Sequence, residues 1–325
     1  MDMEKEVLTR LYWRGVKAVM PRLLVRDFLS SFVWDGPVKL LAVGKGAGSM
    51  AQGAWEVWGD RIEEALVVIP PGMECPVPWR KVEGSHPIPS EGSLEAGRAA
   101  LELARRAGEG DLFLVLLSGG ASALMEVSWP GLTLEDLVEV GGQLLRSGAT
   151  IQEVNAVRKH LSTVKGGRLA QAAWPARVVV LVLSDVVGDP LDVIGSGPFY
   201  PDTTTFAGAL EVLERRGLMA SVPPRVVGHL RRGVMGEIPE TPKEGESLWS
   251  RVEHHLLGNN RKALEAMARG AGKEGIKALI FTSRMKGEAR EVAQVVAGVA
   301  WEEAYCKRGP LLLLWGGETT VTVKG

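Results

Sequence analysis

The segment FLVLLSGGASALM, residues 113–125, joins an unbroken apolar run to a group of small residues, Ser118-Gly119-Gly120-Ala121-Ser122. A continuously apolar run of this length is typical of a strand that is buried on both faces in a parallel sheet. The small residues that follow have two explanations. They form either a tight corner packed against its neighbours or a bare backbone surface that holds an anion.

Apolar runs of the same kind alternate with longer amphipathic segments along the first part of the chain. The predicted strands are 38–44, 65–70, 112–118 and 177–184. Strand-helix alternation implies right-handed crossovers, so we predict a doubly wound, mostly parallel α/β fold with helices on both faces of the sheet.

A second group of elements follows the proline- and glycine-rich stretches ASVPPRVVGH and EIPETPKEGE. It comprises HHLLGNN, a helix from Asn260, IKALIFTS, a helix from Lys286, GPLLLLWGG and a strand-like TTVTVKG. We therefore predict a Rossmann-like α/β domain at 1–238 and a smaller α/β domain at 239–325. The second domain is expected to be incomplete at its C-terminal end, because the chain stops directly after a strand.

Composition excludes several classes of partner. The formal net charge is −1, which gives no electrostatic support for binding nucleic acid or an anionic membrane. No apolar stretch approaches the length of a membrane span. The isolated residues Cys75 and Cys306 are typical of a cytoplasmic protein. Small-molecule partners are therefore expected, and homo-oligomerisation is left open.

Three strand ends are glycine-rich or polar: VGKGAGSMA, LSGGASALM and LSDVVGDPLDVIGSGP. Ligands of open α/β sheets bind outside the carboxyl ends of the strands, where glycine exposes backbone N–H groups. One such loop is best explained by close packing, whereas three together favour an anion-binding cleft. Lys45 could hold a phosphate or carboxylate there, or be an ordinary solvated turn lysine.

Carboxylates follow the strand at 177–184. Asp185, Asp189 and Asp192 suit Mg²⁺, which takes one or two protein carboxylates together with substrate phosphates, although Asp185 could instead cap a turn. The loop containing Ser196 and Gly197 adds bare backbone. In the second domain LLLLWGGETTVTV repeats the pattern, so Gly316, Gly317 and Glu318 are expected to face the same cleft.

A predicted helix within 149–172 has two stripes. Its apolar stripe carries Val154, Val157, Leu161 and Val164, and the adjacent stripe carries Asn155, Arg158, Ser162 and Lys165. The second stripe is either a binding face or a solvated face, and the lack of Glu–Lys pairing favours binding. His160 is interpreted as a supporting residue.

Taken together, these stretches resemble the glycerate 2-kinase family of MOFRL-type proteins, members of which are also named hydroxypyruvate reductases. The matching stretches are VGKGAGSMA, SHPIPSEGSLEAG, LLSGGASALM, GATIQEVNAVRKHLSTVKGGRLA, LSDVVGDPLDVIGSGPFYPDTTTFAGAL and WGGETTVTV. The block at 149–210 is the most specific, because so long an ordered string of motifs does not arise from composition.

The resemblance implies phosphorylation of D-glycerate at its 2-hydroxyl by ATP and Mg²⁺, in a cleft between two α/β domains. Lys45 resembles the essential lysine of the family, and Asp185 and Asp189 resemble its acidic metal or base positions. Lys45 and Asp189 are thus the catalytic candidates, and Asp185 and Asp189 the metal ligands. The candidates for substrate and phosphate binding are Ser118, Gly119, Gly120, Ser122, Asn155, Arg158, Lys165, Ser196, Gly197, Gly316, Gly317 and Glu318.

Family members continue past GGETTVTVKG with a segment that carries an arginine expected in the active site, and this segment is absent from the 325 residues. Two other functions are considered. An NAD(P)H-dependent hydroxypyruvate reductase would need a GxGxxG turn, but GKGAGS fits only its first two glycines. A non-catalytic sugar-phosphate or nucleotide sensor would not need Lys45 together with both aspartates.

Overall fold

A six-stranded parallel sheet forms the centre of the structure, a computed structural model that describes residues 2–306 and 309–322. The strand order is β3-β2-β1-β4-β5-β6. The strands are β1 (Val38–Val43), β2 (Ile62–Ile69), β3 (Arg80–Glu83), β4 (Leu112–Ser118), β5 (Arg177–Leu183) and β6 (Val252–Gly258). The four predicted strands and the doubly wound α/β fold are confirmed.

Alternate side chains of the central strands enter two hydrophobic layers, which explains their continuous apolarity. On one face, Leu41 and Phe113 pack with α4 (Glu91–Arg105) and α8 (Arg168–Ala173). On the other face, Leu40 and Leu114 pack with α2 (Pro21–Leu29) and α3 (Ala47–Trp58). Full burial of one such side chain contributes roughly 1.5–3 kcal/mol to folding.

The direction of the winding reverses between β1 and β4. The chain places β2 and β3 on one side of β1 and then crosses back to β4 on the other side. Connections that leave β1 and β4 in opposite directions open a crevice at their carboxyl ends, where ligands bind in folds of this kind.

A separate helical cluster, not predicted from the sequence, lies beside the sheet. It is formed by α6 (Leu134–Arg146), α7 (Ile151–Leu161), α9 (Phe206–Arg215) and α10 (Pro224–Val234) around one apolar core. The short helix α5 (Ala121–Leu124) follows β4 directly. Thr205 caps α9 by accepting a hydrogen bond from the Gly208 N–H.

The predicted polar stripe along a single helix at 149–172 is wrong. α7 ends at Leu161, because Ser162 takes an extended conformation and bridges Ser128. Gly166 and Gly167 then turn the chain with positive φ angles. The prediction failed because the partner that stops the helix is distant in sequence.

A second, two-stranded parallel sheet consists of β7 (Lys277–Met285) and β8 (Leu311–Gly317), with α11 (Asn260–Lys273) before it and α12 (Ala289–Tyr305) between its strands. The N-terminal helix α1 (Asp2–Ala18) packs against α11.

HHLLGNN and TTVTVKG were both predicted to belong to the second group of elements. HHLLGNN was assigned to it, but β6 pairs with β5 in the large sheet, so that assignment was wrong. In the predicted strand TTVTVKG, Thr320 forms one bridge to Glu288, and residues 323–325 lie outside the described part. The domain boundary at 238/239 stays a prediction.

Candidate active site

The loops after β1 and β4 are joined by direct hydrogen bonds. The Lys45 N–H donates to the Gly119 carbonyl at 2.8 Å, and the Gly46 N–H donates to Ser118 Oγ at 3.0 Å. These bonds place the Lys45 side chain over the start of the Gly119-Gly120 turn. The two strand-end loops are therefore in direct contact, and anion binding by them stays a prediction.

The glycines of these loops serve two purposes. At Gly44 (φ +126°) an added Cβ would overlap Ser118, so this residue permits close packing of loop on loop. At Gly119 an added Cβ would overlap the carboxylate of Asp185. At Gly120 it would lie 3.3 Å from the Lys45 side chain and 3.2 Å from the His86 ring. Gly119 and Gly120 therefore make room for charged side chains.

Lys45 and Asp185 are exposed at this edge of the sheet. Neither side chain forms an ion pair or hydrogen bond with any residue in 2–306 or 309–322. Their charges are available to a ligand, in contrast to most charged groups near the sheet.

His86 is a site residue that the sequence analysis did not single out. It follows β3, and its ring lies against Gly120, within electrostatic range of Lys45 and Asp185. Burial and the nearby Lys45 charge lower the pKa of His86, against the opposing effect of Asp185. The imidazole is therefore neutral at pH 7 and can donate or accept a hydrogen bond.

A series of hydrogen-bonded polar side chains connects α5, α7 and the 194–197 loop. Ser196 Oγ donates to Asn155 Oδ1 at 2.9 Å, and Ser122 Oγ lies 2.7 Å from Ser196 Oγ. Ser196 has a φ of +62°, and both it and Asn155 are buried. This chain fixes the 194–197 loop between α5 and α7, with Ser122 at its accessible end.

The two cations of the predicted stripe have different environments. The Lys165 ammonium is buried and lies 2.8 Å from Glu126 Oε2, and it donates to the Met125 carbonyl at 3.1 Å. Burial lowers the pKa of Lys165, and the charge of Glu126 opposes that effect. Arg158 is half-buried beside Pro89. Lys165 thus supports the wall from inside, and direct contact of either residue with substrate stays a prediction.

A cleft of about 370 Å³ opens beyond Asp185. It is lined by Ser184, Asp185, Val186, Val187, Gly188, Asp189, Asn259, Asn260, Arg261, Ser283, Arg284 and Gly317. Asp189 has a φ of +57° and accepts a hydrogen bond from Asn259 Nδ2 at 2.7 Å. The cleft therefore lies between the loop after β5 and three other elements. These contribute the start of α11, the end of β7 and the end of β8.

Asp185 and Asp189 lie on the same wall of this cleft, whereas Asp192 is not among its lining residues. Within the described ranges, no group of three or more His, Cys, Asp or Glu side chains is arranged to hold a metal ion. Two carboxylates on one cleft wall suit Mg²⁺, which takes one or two protein carboxylates and completes its coordination with other oxygens.

Packing accounts for the glycines at the end of β8. An added Cβ at Gly316 would overlap the side chain of Asn260, and one at Gly317 would overlap the backbone of Met285. Gly317 lines the cleft, and Glu318 is exposed beyond it. Ligand binding by Gly197, Gly316, Gly317 and Glu318 stays a prediction.

Comparison with known proteins first identifies the domain family to which most of the chain belongs. Residues 7–231 match the family model described as a domain of unknown function, DUF4147.

In the described part of the chain, no helix has the length and apolarity needed to cross a membrane.

Named relatives then define the family. The D-glycerate 2-kinase of Thermotoga maritima is 40% identical over 326 residues, covering 99% of this chain and 75% of that protein. The glycerate 2-kinase of Pyrococcus horikoshii is 38% identical, with 99% and 75% coverage. The crystal structure of the Thermotoga maritima glycerate kinase superposes with a TM-score of 0.89 at 39% identity, covering 100% of this chain and 76% of that one. The chain therefore belongs to the glycerate 2-kinase family, as its motifs predicted.

Proposed function

We propose that this protein phosphorylates D-glycerate at its 2-hydroxyl, with ATP as donor and Mg²⁺ as cofactor, to give 2-phosphoglycerate. The observation that carries the proposal is the 40% identity to a D-glycerate 2-kinase over 99% of the chain. The unpaired charges at the crevice between β1 and β4 support it.

Phosphoryl transfer depends mainly on positioning and on neutralising the charge of the transferred group. Lys45 is suited to bind that group, because its ammonium has no partner among the described residues. Gly119 and Gly120 present their backbone N–H groups beside it. His86, whose ring lies against Gly120, is the proposed hydrogen-bonding partner of the acceptor hydroxyl.

The carboxylates of the two aspartates are not equally free to bind a ligand. Asp189 already accepts a hydrogen bond from Asn259, whereas Asp185 has no hydrogen-bond partner in the described residues. Both would hold Mg²⁺, which when bound neutralises phosphate charge. The difference favours Asp185 as the stronger metal ligand and leaves Asp189 as the candidate base.

The hydroxypyruvate reductase alternative has less support. A protein of Agrobacterium vitis that carries that name is 36% identical over 98% of this chain. Yet an added Cβ at Gly48 would overlap the Glu74 carbonyl, so packing explains the third glycine of GKGAGS. A dinucleotide turn is therefore not needed to explain these glycines.

The decisive experiment is a coupled assay for ADP release with D-glycerate, with and without Mg²⁺, and identification of the phosphoglycerate isomer by NMR. Magnesium-dependent ADP release with 2-phosphoglycerate as product is expected. Oxidation of NADH with hydroxypyruvate and no ADP release would establish the reductase instead. Nucleotide binding without either reaction would indicate a sensor.

The unpaired Cys75 and Cys306 support a reducing, cytoplasmic location for this enzyme.

A further inference from the structure

Two arginines line the cleft together with the two aspartates, and they differ in their own partners. Arg261 Nε donates to Glu265 Oε1 at 2.7 Å, so its charge is compensated. The Arg284 side chain forms no ion pair or hydrogen bond with any of residues 2–306 or 309–322. The cleft therefore holds one compensated and one uncompensated guanidinium.

The backbone around Arg284 is fixed at the mouth of the cleft. The pairing of β7 with β8 is irregular between Thr282 and Met285, and the Arg284 N–H donates to Thr282 Oγ1 at 2.9 Å. Met285 pairs with Gly317, where any side chain would overlap the Met285 backbone. An irregularity of this kind redirects the side chains near the strand end.

The cleft and the Lys45 region are neighbouring subsites that meet at Asp185. Asp185 lies against Gly119 on one side and lines the cleft on the other. Lys45, His86 and Gly120 are not among the residues that line the cleft. At about 370 Å³ the cleft accommodates a ligand far larger than a three-carbon acid.

We propose that Arg284 binds the polyphosphate of the nucleotide donor, in the cleft that Asp185 and Asp189 also line. The proposal rests on the phosphotransfer function proposed above and adds a residue to it. A metal-bound polyphosphate presents cationic and anionic groups together, which matches a cleft lined by two carboxylates and an uncompensated arginine. Guanidinium binds two phosphate oxygens at once, a geometry that neither glutamine nor lysine reproduces.

The test compares Arg284→Gln with the control Arg269→Gln, because Arg269 is an exposed arginine of α11 that pairs with Glu265 and is not among the residues that line the cleft. For Arg284→Gln we expect the KM for ATP to rise at least tenfold, and the KM for D-glycerate to change less than twofold. Arg269→Gln should change both values less than twofold, and Arg284→Lys should give an intermediate KM for ATP. Thermal unfolding of each variant verifies that it is folded.

Two outcomes would overturn the proposal. One is an unchanged KM for ATP in Arg284→Gln. The other is a rise confined to the KM for D-glycerate, which would assign Arg284 to the carboxylate of the acceptor.

Calorimetric titration with Mg-ADP separates this proposal from the function on which it rests. Binding by the wild type that is weakened at least tenfold in Arg284→Gln supports the Arg284 site, even if glycerate is not the acceptor. Equal binding by both proteins, alongside glycerate phosphorylation by the wild type, rejects Arg284 and leaves the kinase function standing. An absence of both binding and turnover in the wild type contradicts both proposals.

Discussion

Lys39 and Lys45 show how a partner determines what a charge contributes. Lys39, in β1, lies 2.6 Å from Asp111 Oδ2 (Nζ to oxygen), and both side chains are largely buried. Lys45 follows the opposite end of the same strand and is exposed with no partner among the described residues. A charge that is not used within the fold is free for a ligand.

Replacing Lys45 by alanine should abolish glycerate-dependent ADP release and leave the melting temperature within a few degrees of wild type. Lys45 is the cation proposed to neutralise charge in the transition state, and removal of one such group costs about 2.7–4 kcal/mol of activation free energy. The ADP assay and a thermal unfolding curve measure the two effects.

Lys39→Ala is the control for that experiment. It leaves the partly buried Asp111 without its partner and should cost about 1–3 kcal/mol of stability, with turnover preserved. If Lys45→Ala instead melted as early as Lys39→Ala, Lys45 would be a structural lysine.

At the scale of elements, the turn between β4 and α5 depends on what faces each glycine. Gly119 faces the end of the short Asp185 side chain, which can rotate away, whereas Gly44 faces the backbone of Ser118, which cannot. Substitution by alanine should therefore lower activity at Gly119 and lower stability at Gly44.

Gly119→Ala should displace the Asp185 carboxylate and lower kcat at least tenfold, with a stability loss below about 1 kcal/mol. Gly44→Ala, at a φ of +126°, should lose about 1–3 kcal/mol of stability from strain and overlap. Chemical denaturation together with the ADP assay distinguishes them. Equal stability losses would show that Asp185 is held as rigidly as backbone.

Glu240 joins two helices of the helical cluster. His160 Nε2 donates to Glu240 at 2.8 Å, and the Phe206 N–H at the start of α9 donates at 3.0 Å. His160 Nδ1 lies 2.7 Å from the Ala156 carbonyl oxygen. Burial alone would raise the pKa of Glu240, but the hydrogen bonds from His160, Thr241 and Phe206 outweigh it and lower the pKa to about 2.

This pKa predicts the acid dependence of stability. Because the folded pKa of about 2 lies below the ordinary value of 4.5, the stabilisation is complete above pH 4.5 and is lost as the pH falls towards 2. The melting temperature of Glu240→Gln should therefore be lower than wild type at pH 7, and the gap should narrow on acidification.

Glu237→Gln, an exposed substitution nearby, should show little difference from wild type at any pH. A gap between wild type and Glu240→Gln that stays constant from pH 7 to pH 3 would contradict the assignment.

The sequence predicted those elements whose signals are local. The strands β1, β2, β4 and β5 each contain an unbroken run of at least four apolar residues. β3 is mostly charged and β6 carries a glutamate and two histidines, so only their pairing within the sheet defines their membership.

The site residues that directly follow a predicted strand could also be predicted from the sequence. Lys45, Gly119 and Asp185 follow directly from strand ends, and the structure brings them together. His86 follows the unpredicted β3, and Arg284 depends on the position of the second sheet. The signal for His86 was present in SHPIPSEGS, but without β3 it could not be placed at the strand ends.

At the scale of the whole molecule, α1 belongs with the C-terminal elements, although it precedes the large sheet in sequence. Leu11 packs with Leu264, Leu312 and Leu314. Arg10 forms hydrogen-bonded ion pairs with Glu274 at the end of α11. The wall that carries Arg284 therefore depends on the N-terminal helix.

Leu11→Ala should destabilise the second sheet by about 2–5 kcal/mol, because Leu11 is only 2% exposed and its removal leaves a cavity. Hydrogen exchange should show reduced protection in β7 and β8 with β1 and β4 unaffected. Leu8→Ala is the matched control, since Leu8 is 55% exposed and its loss should change stability by less than about 0.5 kcal/mol. Uniform loss of protection across both sheets would show that they unfold as one unit.

The contact between α1 and α11 also constrains the order of biosynthesis. Arg10 and Glu274 are 264 positions apart, so on the ribosome α1 emerges tens of seconds before its partner is translated. The large sheet can assemble during that interval, since β1 to β5 are complete by Leu183. The nascent α1 meanwhile leaves Leu11 and Val7 without the residues of α11 and β8 that cover them in the folded protein.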